Sequence, residues 1–259
     1  MTQSTATTLA NKPAWIDLSS ADPAASRAFY AAVFGWDIEV NQDPQYGGYA
    51  LARVDGHDVA GIGPQMSPSP TFWSVYIGTD DADALSASVQ AAGGTIIAPA
   101  FDVGDQGRMA VFQDPTGAFI SVWQPQTMPG FAVQRKAGAF SWAELNARGM
   151  ANAKQFYKKV FTWGEKNTPM GEGQSDYTEF KLGDESIAGG MEMNPMVPKE
   201  VPSYWMVYFG AANVDQAFDK AVKLGGKEMV PPQDFPGGRF AILSDPQGAM
   251  FGLMSSDKP

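Results

Sequence analysis

The chain has 259 residues, no cysteine, one histidine and a formal net charge of −10 at pH 7. The lack of cysteine excludes disulfides, thiolate metal ligands and a cysteine nucleophile. The acidic balance argues against nucleic acid and against an anionic membrane as partners. Residues 1–12 lack the apolar core of a signal peptide, and no apolar run is long enough for a membrane span. We therefore expect a cytoplasmic globular protein with enough residues for two domains.

The second half of the chain repeats the first, which indicates a duplicated domain. The segment 15–18 (Trp-Ile-Asp-Leu) matches the segment 142–145 (Trp-Ala-Glu-Leu), and a Phe-Tyr pair follows each at the same distance. The motifs Gly-Arg and Asp-Pro-x-Gly-Ala recur near the end of each half. Between the halves, a stretch with proline, glycine and charged residues has no periodicity, as in a linker. The predicted division is a tail at 1–12, a domain at 13–126, a linker at 127–137, a second domain at 138–255 and a tail at 256–259.

Local patterns predict the elements of the first half in chain order. A strand is expected first, and Asp22 with the following proline then begins a helix that Gly35 ends. Three short strands separated by turn residues follow. The same order then starts again, so each half contains two βαβββ modules. The expected strands are 14–19, 36–40, 48–54, 58–62, 71–78, 95–101, 108–113 and 119–124, and the second helix is expected at 81–92.

These modules, the helix motif at 28–36 and the Asp-Pro-Thr-Gly turn at 114–117 resemble the vicinal-oxygen-chelate superfamily of glyoxalase I, bleomycin-resistance proteins and extradiol dioxygenases. The layout is similar to tandem glyoxalase-like proteins of actinobacteria, among them a mycobacterial antigen and proteins of antibiotic pathways. The resemblance covers residues 13–254. It implies an α+β fold of two tandem glyoxalase-like domains, in which the two βαβββ modules of each domain form an open β-barrel with flanking helices.

The resemblance also implies a divalent metal held by histidine and glutamate, but the residues at the corresponding positions are poor ligands. His57, the single histidine, follows an Asp-Gly pair and is predicted to be a solvated turn residue. We therefore expect no metal site of the usual type and no cofactor, while an all-carboxylate Mg²⁺ or Mn²⁺ site stays open. The family's ligand positions fall on Trp15, Ser74 and Ser121 in the first half and on Trp142, Met206 and Gly252 in the second.

Asp17 and Glu144 are the candidate catalytic residues, because each shares a strand face with a tryptophan two residues before it. Burial on that face would raise the pKa of the carboxyl group and suit it to general acid–base catalysis. In the alternative, each carboxylate forms a buried ion pair with an arginine of a neighbouring strand, for which Arg108 and Arg239 are the candidates. The sequence leaves both hypotheses open.

Aromatic residues on the predicted inner strands suit the wall of a cavity for a flat ligand, although core filling also places tryptophan there. The first half has more of them, since Trp123 matches Met254 in the second, and we expect the first half to hold the functional cavity. The candidate ligand-binding residues are Trp15, Tyr49, Trp73, Arg108, Trp123, Trp142, Tyr177, Trp205 and Arg239.

Two classes of function fit these features. In the first, the protein binds an aromatic or polycyclic metabolite or antibiotic without a metal. In the second, it is a metal-independent glyoxalase-like lyase or isomerase with Asp17 or Glu144 as the acid or base, in antibiotic biosynthesis or methylglyoxal detoxification. A third hypothesis is recognition through surface contacts, with vestigial cavities. The expected partner is a small aromatic molecule, and four modules in one chain are compatible with a monomer or a homodimer.

Overall fold

The computed structural model describes residues 9–66, 68–171, 173 and 175–255. The first half contains strands β1 to β8 and helices α1 and α2, in the order β1-α1-β2-β3-β4-β5-α2-β6-β7-β8. A short 3-10 turn at Pro44–Tyr46 lies between β2 and β3. The elements are β1 Pro13–Ser20, α1 Pro23–Phe34, β2 Asp37–Val40, β3 Ala50–Val54, β4 His57–Pro64, β5 Phe72–Gly78, α2 Ala82–Ala91, β6 Thr95–Val103, β7 Gly107–Gln113 and β8 Phe119–Pro125.

The second half repeats this order with strands β9 to β16 and helices α3 and α4. The longest of the four helices has 12 residues, so within the described part of the chain none has the length and apolar character of a membrane span. The elements are β9 Phe140–Ala147, α3 Met150–Phe161, β10 Gly164–Thr168, β11 Tyr177–Leu182, β12 Glu185–Glu192, β13 Tyr204–Gly210, α4 Val214–Lys223, β14 Lys227–Phe235, β15 Gly238–Ser244 and β16 Met250–Ser255.

Each half forms one mixed sheet of eight strands. In the first half the strand order is β2-β3-β4-β1-β5-β8-β7-β6, and the second half has the corresponding order β10-β11-β12-β9-β13-β16-β15-β14. The first strands of the two modules, β1 and β5, pair antiparallel at the centre, and β2 and β6 remain as edges. The sheet is therefore not a closed barrel, and the predicted α+β fold of two βαβββ modules in each half is confirmed.

The start and end of α1 follow from its sequence. The Asp22 side chain accepts a hydrogen bond of 3.0 Å from the Ala25 amide, and Pro23 occupies the first helical position. Gly35 ends the helix in the left-handed conformation, with φ 72°. The predicted cap, first residue and terminus of this helix are all confirmed.

The two sides of each sheet differ in character. On β1, Ile16 and Leu18 are fully buried beneath the helices, while Trp15 and Asp17 point to the opposite side. We call the side that carries Asp17, or Glu144 in the second domain, the concave face, and the other side the helix face. The concave face is the side on which the family resemblance places a ligand.

The helix faces of the two domains pack against each other in one continuous core. Helix α1 packs against α4, and α2 packs against α3. Within this interface the Tyr30 hydroxyl donates to Asp245 at 3.1 Å, and the Tyr157 hydroxyl donates to Asp114 at 2.9 Å. The duplicated domains are thus joined by a pair of matching hydrogen bonds.

Candidate functional site

Asp17 lies on the concave face of β1 between two tyrosines. Tyr76, on the adjacent strand β5, donates a hydrogen bond of 2.9 Å to the carboxylate, and Tyr49 of the β2–β3 connection approaches it at 3.4 Å. Ser74 also donates to it, and the Trp15 indole N–H donates to the Tyr49 hydroxyl at 3.0 Å. We call Asp17, Tyr49, Ser74 and Tyr76 the Asp17 cluster. Asp17 itself remains partly exposed.

Burial raises the pKa of Asp17 to about 6, although the hydrogen bonds from Tyr76, Ser74 and Tyr49 oppose the shift. Burial, and after it the neighbouring carboxylate, raises the pKa of Tyr49 and of Tyr76. Both phenols therefore stay protonated and act as hydrogen-bond donors. A carboxyl group that titrates close to neutral pH can accept a proton and return it.

The second domain builds a corresponding group around Glu144. Tyr208 on β13 donates to the carboxylate at 3.1 Å, Tyr177 also donates to it, and the Asn146 side-chain amide lies 3.5 Å away. The Trp142 indole N–H donates to the Tyr177 hydroxyl at 2.9 Å. Burial raises the pKa of Glu144. We call Glu144, Asn146, Tyr177 and Tyr208 the Glu144 cluster.

A glycine on the neighbouring strand leaves room for one tyrosine of each cluster. A Cβ atom added to Gly61 on β4 would lie 1.7 Å from the Tyr49 hydroxyl oxygen, and one added to Gly189 on β12 would lie 1.9 Å from that of Tyr177. Because glycine has no side chain, the tyrosine ring can cross the strand at this position and reach the carboxylate. Glycine at these two positions is part of the site's geometry.

Neither arginine contacts a cluster carboxylate. Arg108 binds Asp83 at 2.7 Å and Asp102 at 2.9 Å, and Arg239 binds Asp215 and Asp234 at the same distances. The register explains this, because Met109 lies opposite Trp123 of the concave face, so Arg108 points to the helix face. The alternative hypothesis, in which Asp17 pairs with Arg108 and Glu144 with Arg239, is therefore wrong.

Trp73 and Trp205 also lie on the helix face. Each is buried and donates its indole N–H to a tyrosine of the domain interface, Trp73 to Tyr30 at 2.9 Å and Trp205 to Tyr157 at 2.8 Å. This corrects the prediction that they line the concave face. The reason is again register: Asp17 lies opposite Ser74, so the residue before Ser74 points the other way.

The remaining predicted aromatic residues do lie on the concave face. Trp15 and Trp123 form a buried cluster with Tyr76 in the first domain, and Trp142 and Tyr177 belong to the surroundings of Glu144 in the second. The sequence reasoning missed Tyr76 and Tyr208. A signal was present, because the repeated Trp-x-Val-Tyr motif places each tyrosine on the strand face opposite to its tryptophan.

The family's metal-ligand positions do not provide a metal site in either domain. Trp15, Ser74 and Ser121 occupy them in the first domain, and Trp142, Met206 and Gly252 in the second. In the described residues, no group of three or more His, Cys, Asp or Glu side chains is placed to hold a metal ion. His57 is exposed at the start of β4. This donor set does not fit the metal that the fold family implies.

Two of the surface cavities lie outside the clusters. One, of about 180 Å³, lies where the N-terminal segment meets the second domain and is lined by residues that include Lys12, Arg135 and Glu185. The other, of about 240 Å³, lies between α1 and α4. Neither cavity is lined by Asp17 or Glu144. The clusters are the site candidates because each holds a carboxyl group with a raised pKa among hydroxyl donors.

Comparison with known proteins agrees with this architecture. The family model for "Glyoxalase/Bleomycin resistance protein/Dioxygenase superfamily" matches residues 12–122 and again 139–253. The chain is 39% identical to CFP32 of Mycobacterium tuberculosis, which is provisionally named as a glyoxylase, over 93% of this chain and 94% of that protein. It is 38% identical to the anthracycline biosynthesis protein DnrV of Streptomyces peucetius, over 93% of this chain and 92% of that protein.

Solved structures share the fold at low identity. The Mn(II)-bound glyoxalase from Novosphingobium aromaticivorans has a TM-score of 0.66 at 18% identity, covering 95% of this chain and 82% of that one. The 2,3-dioxygenase LapB from Pseudomonas sp. KL28 has the same TM-score at 17% identity, covering 94% and 91%. With both halves matched by one family, the chain belongs to the glyoxalase, bleomycin resistance protein and dioxygenase superfamily.

Proposed function

We propose that the protein transfers protons on a small carbonyl-containing metabolite, as a glyoxalase-like isomerase or lyase that needs no metal ion. The observation that carries the proposal is the duplicated carboxylate on the concave face, held by tyrosine hydroxyls and, among the described residues, without a cationic partner. Burial raises the pKa of both carboxyl groups, which suits them to general acid–base catalysis near neutral pH.

In the proposed step, the carboxylate removes a proton from the carbon next to the substrate's carbonyl group. The electron pair of the broken C–H bond forms a C=C bond, and the carbonyl oxygen becomes negatively charged. The cluster tyrosines stay protonated because burial and the neighbouring carboxylate raise their pKa. Once the carboxylate has taken up the proton and lost its negative charge, their hydroxyl groups donate to the negatively charged substrate oxygen instead. Return of the proton to the former carbonyl carbon, with transfer of the proton of a hydroxyl group on the deprotonated carbon to the negatively charged oxygen, turns that hydroxyl group into the new carbonyl. This completes an isomerisation of a hydroxycarbonyl substrate without an oxidant or a metal.

The family relatives support a small-molecule substrate. One relative carries a provisional glyoxylase name, and another is named for anthracycline biosynthesis. Both names fit a protein that acts on a compact metabolite or on an antibiotic precursor. The donor set at the family's metal positions, with tryptophan, methionine and glycine among its members, favours chemistry carried by the cluster carboxylates.

The test is deuterium incorporation from D₂O, followed by NMR, with EDTA-dialysed protein and two probes: hydroxyacetone, and the hemithioacetal of methylglyoxal with a thiol. The wild type is expected to accelerate exchange at the carbon next to the carbonyl, and the double variant Asp17→Asn/Glu144→Gln is expected to lose this acceleration. Equal rates for the two proteins, or acceleration that requires added Zn²⁺, Ni²⁺ or Mn²⁺, would overturn the proposal.

Binding without catalysis is the second candidate, and one observation favours it. The Trp142 ring is partly exposed on the concave face and fixed by its hydrogen bond to Tyr177, so it presents a rigid flat surface. A planar aromatic ligand could stack on this ring. Quenching of tryptophan emission by such a ligand, without any proton exchange in the assay above, would favour binding over catalysis.

A further inference from the structure

The two concave faces differ in access, although their clusters are alike. In the first domain, residues 127–132 of the linker run across the concave face; we call this segment the strap. In the second domain, Trp142 and Met254, the counterparts of Trp15 and Trp123, are more exposed, and Glu179 takes the place of Leu51. We infer that the groove around Glu144 receives the ligand and that the strap closes the groove around Asp17. This inference rests on the proposed function and reverses the expectation that the first half holds the functional cavity.

Backbone hydrogen bonds hold the strap at both ends. At one end, the Met128 amide donates to Gln106 in the β6–β7 turn at 3.0 Å. At the other end, the Phe131 amide donates to the Ala14 carbonyl at 2.8 Å, and the Ala132 amide donates to Asp58 at 3.3 Å. The strap thus spans from the β6–β7 side of the sheet to the starts of β1 and β4.

Side chains of the strap fill the space beneath it. Met128 and Phe131 pack against the buried cluster of Trp15, Tyr76 and Trp123 on the concave face. The Phe131 and Trp15 ring centroids are 5.6 Å apart. The Trp123 indole N–H donates to the Met128 carbonyl at 2.9 Å, so a side chain of the concave face is hydrogen-bonded to the backbone of the strap.

Glycine allows the strap to approach this closely. Gly130 has φ 102°, in the left-handed region, and a Cβ atom there would lie 2.5 Å from the Ala14 carbonyl oxygen. Any side chain at this position would push the strap away from β1. The strap is therefore part of the packed structure of the first domain.

Among the described residues, the corresponding positions of the second domain are less covered. Trp15 is 3% exposed, whereas its counterpart Trp142 is partly exposed. Trp123 is 7% exposed, whereas its counterpart Met254 is partly exposed. All seven tryptophans lie in the described part of the chain, and Trp142 is the one that is not buried.

The lining of the second groove is also more polar. Leu51, which packs beneath the strap, corresponds to Glu179, whose carboxylate accepts hydrogen bonds from Ser186 at 2.6 Å and Lys166 at 3.2 Å. Burial near Glu144 raises the pKa of Tyr204, so that its hydroxyl stays protonated. Met206 in place of Ser74 and Gly252 in place of Ser121 are changes in the opposite direction. Such a lining suits a ligand with several hydroxyl or carbonyl oxygens.

Acrylamide quenching tests access without any substrate. Because only Trp142 is partly exposed, Trp142→Phe is expected to remove most of the quenchable emission of the wild type, and Trp15→Phe is expected to leave it in place. Phe131→Ala should make Trp15 newly quenchable, and the smaller change Phe131→Leu serves if the alanine variant does not fold. Loss of the quenchable component in Trp15→Phe, but not in Trp142→Phe, would overturn the inference.

Proton exchange with hydroxyacetone tests which of the two carboxylates acts as the general base. Glu144→Gln is expected to lower the exchange rate by about 100-fold, as for loss of a general base, and Asp17→Asn by a much smaller factor. The reverse ranking would overturn the inference while leaving the proposed proton transfer intact. If neither variant changes the rate, the proposed function fails, and the quenching result alone decides whether the second groove is the open one.

Discussion

The Tyr157 hydroxyl of the second domain donates a hydrogen bond of 2.9 Å to the Asp114 carboxylate of the first. The same hydroxyl accepts the Trp205 indole N–H at 2.8 Å. The other Asp114 oxygen accepts the Thr116 amide at 2.7 Å and thereby shapes the Asp-Pro turn. Tyr30, Trp73 and Asp245 form the matching arrangement. In each domain, the Asp-Pro turn is thus hydrogen-bonded to a helix of the other domain.

Tyr157→Phe should therefore destabilise the protein. Removal of the hydroxyl leaves two buried groups without this partner, the Asp114 carboxylate and the Trp205 N–H, and we expect a loss of about 2 to 3 kcal/mol. Urea unfolding measures it, with Tyr46→Phe in the 3-10 turn as the matched control. A loss no greater than that of the control would show that the interface bond contributes little.

The pH dependence of stability reports on Asp17. Its pKa is raised from 3.8 to about 6 in the folded protein, so between these values the folded state binds more protons than the unfolded state. The stabilisation is complete below the unfolded pKa and is lost as the pH rises through about 6. It amounts to at most about 3 kcal/mol.

Asp17→Asn should remove this contribution, so its unfolding free energy should fall less than that of the wild type between about pH 4 and about pH 7. Urea titrations of both proteins across this range measure the difference. Parallel curves for the two proteins would mean that Asp17 keeps an ordinary pKa.

Gly189→Ala should disturb the Glu144 cluster. The added methyl group would lie 1.9 Å from the Tyr177 hydroxyl oxygen and 2.7 Å from the Trp142 indole nitrogen. Such overpacking costs about 1 to 3 kcal/mol and should break the hydrogen bond between these side chains. Thermal unfolding and tryptophan emission measure both effects. Gly164→Ala is the matched control, because its Cβ would meet nothing closer than 3.8 Å.

Arg108→Gln tests the corrected ion pairing. Arg108 binds Asp83 and Asp102 in a solvent-accessible setting, so its loss should lower stability only slightly, and added salt should reduce the difference further. A buried ion pair with Asp17 would instead give a large loss that salt does not screen. Urea unfolding at low and high salt separates the two, with Arg108→Lys as the conservative comparison.

The repeats predicted the duplication, the local cap and turn signals predicted the elements, and the family resemblance implied the fold. Asp22, Pro23 and Gly35 act within one helix, and the structure has this helix where the sequence places it. The Asp-Pro turns also depend on neighbours in sequence, since Asp114 accepts from Thr116 and Ala118. Caps and turns of this kind depend only on residues close in sequence, so the sequence alone predicts them.

Strand faces and distant contacts were harder to predict. A shift of one residue in register moves a side chain to the other face, so the sequence alone does not show that Arg108 and Trp73 lie on the helix face. The bond between Tyr30 and Asp245 joins positions in different domains, and no local pattern indicates it. The alternation of a strand places each carboxylate on the face of the tryptophan two residues before it, but it does not indicate the tyrosine partners Tyr76 and Tyr208, which come from a neighbouring strand.

A carbon-13 NMR titration of the side-chain carboxyl groups tests the central claim most directly, with Asp17→Asn and Glu144→Gln to assign the two signals. The account predicts that Asp17 titrates near pH 6 and that the pKa of Glu144 is above its usual range. If both groups titrate like exposed carboxylates, at about pH 4, the tyrosine-held carboxylates are not suited to proton transfer near neutral pH, and the account is contradicted.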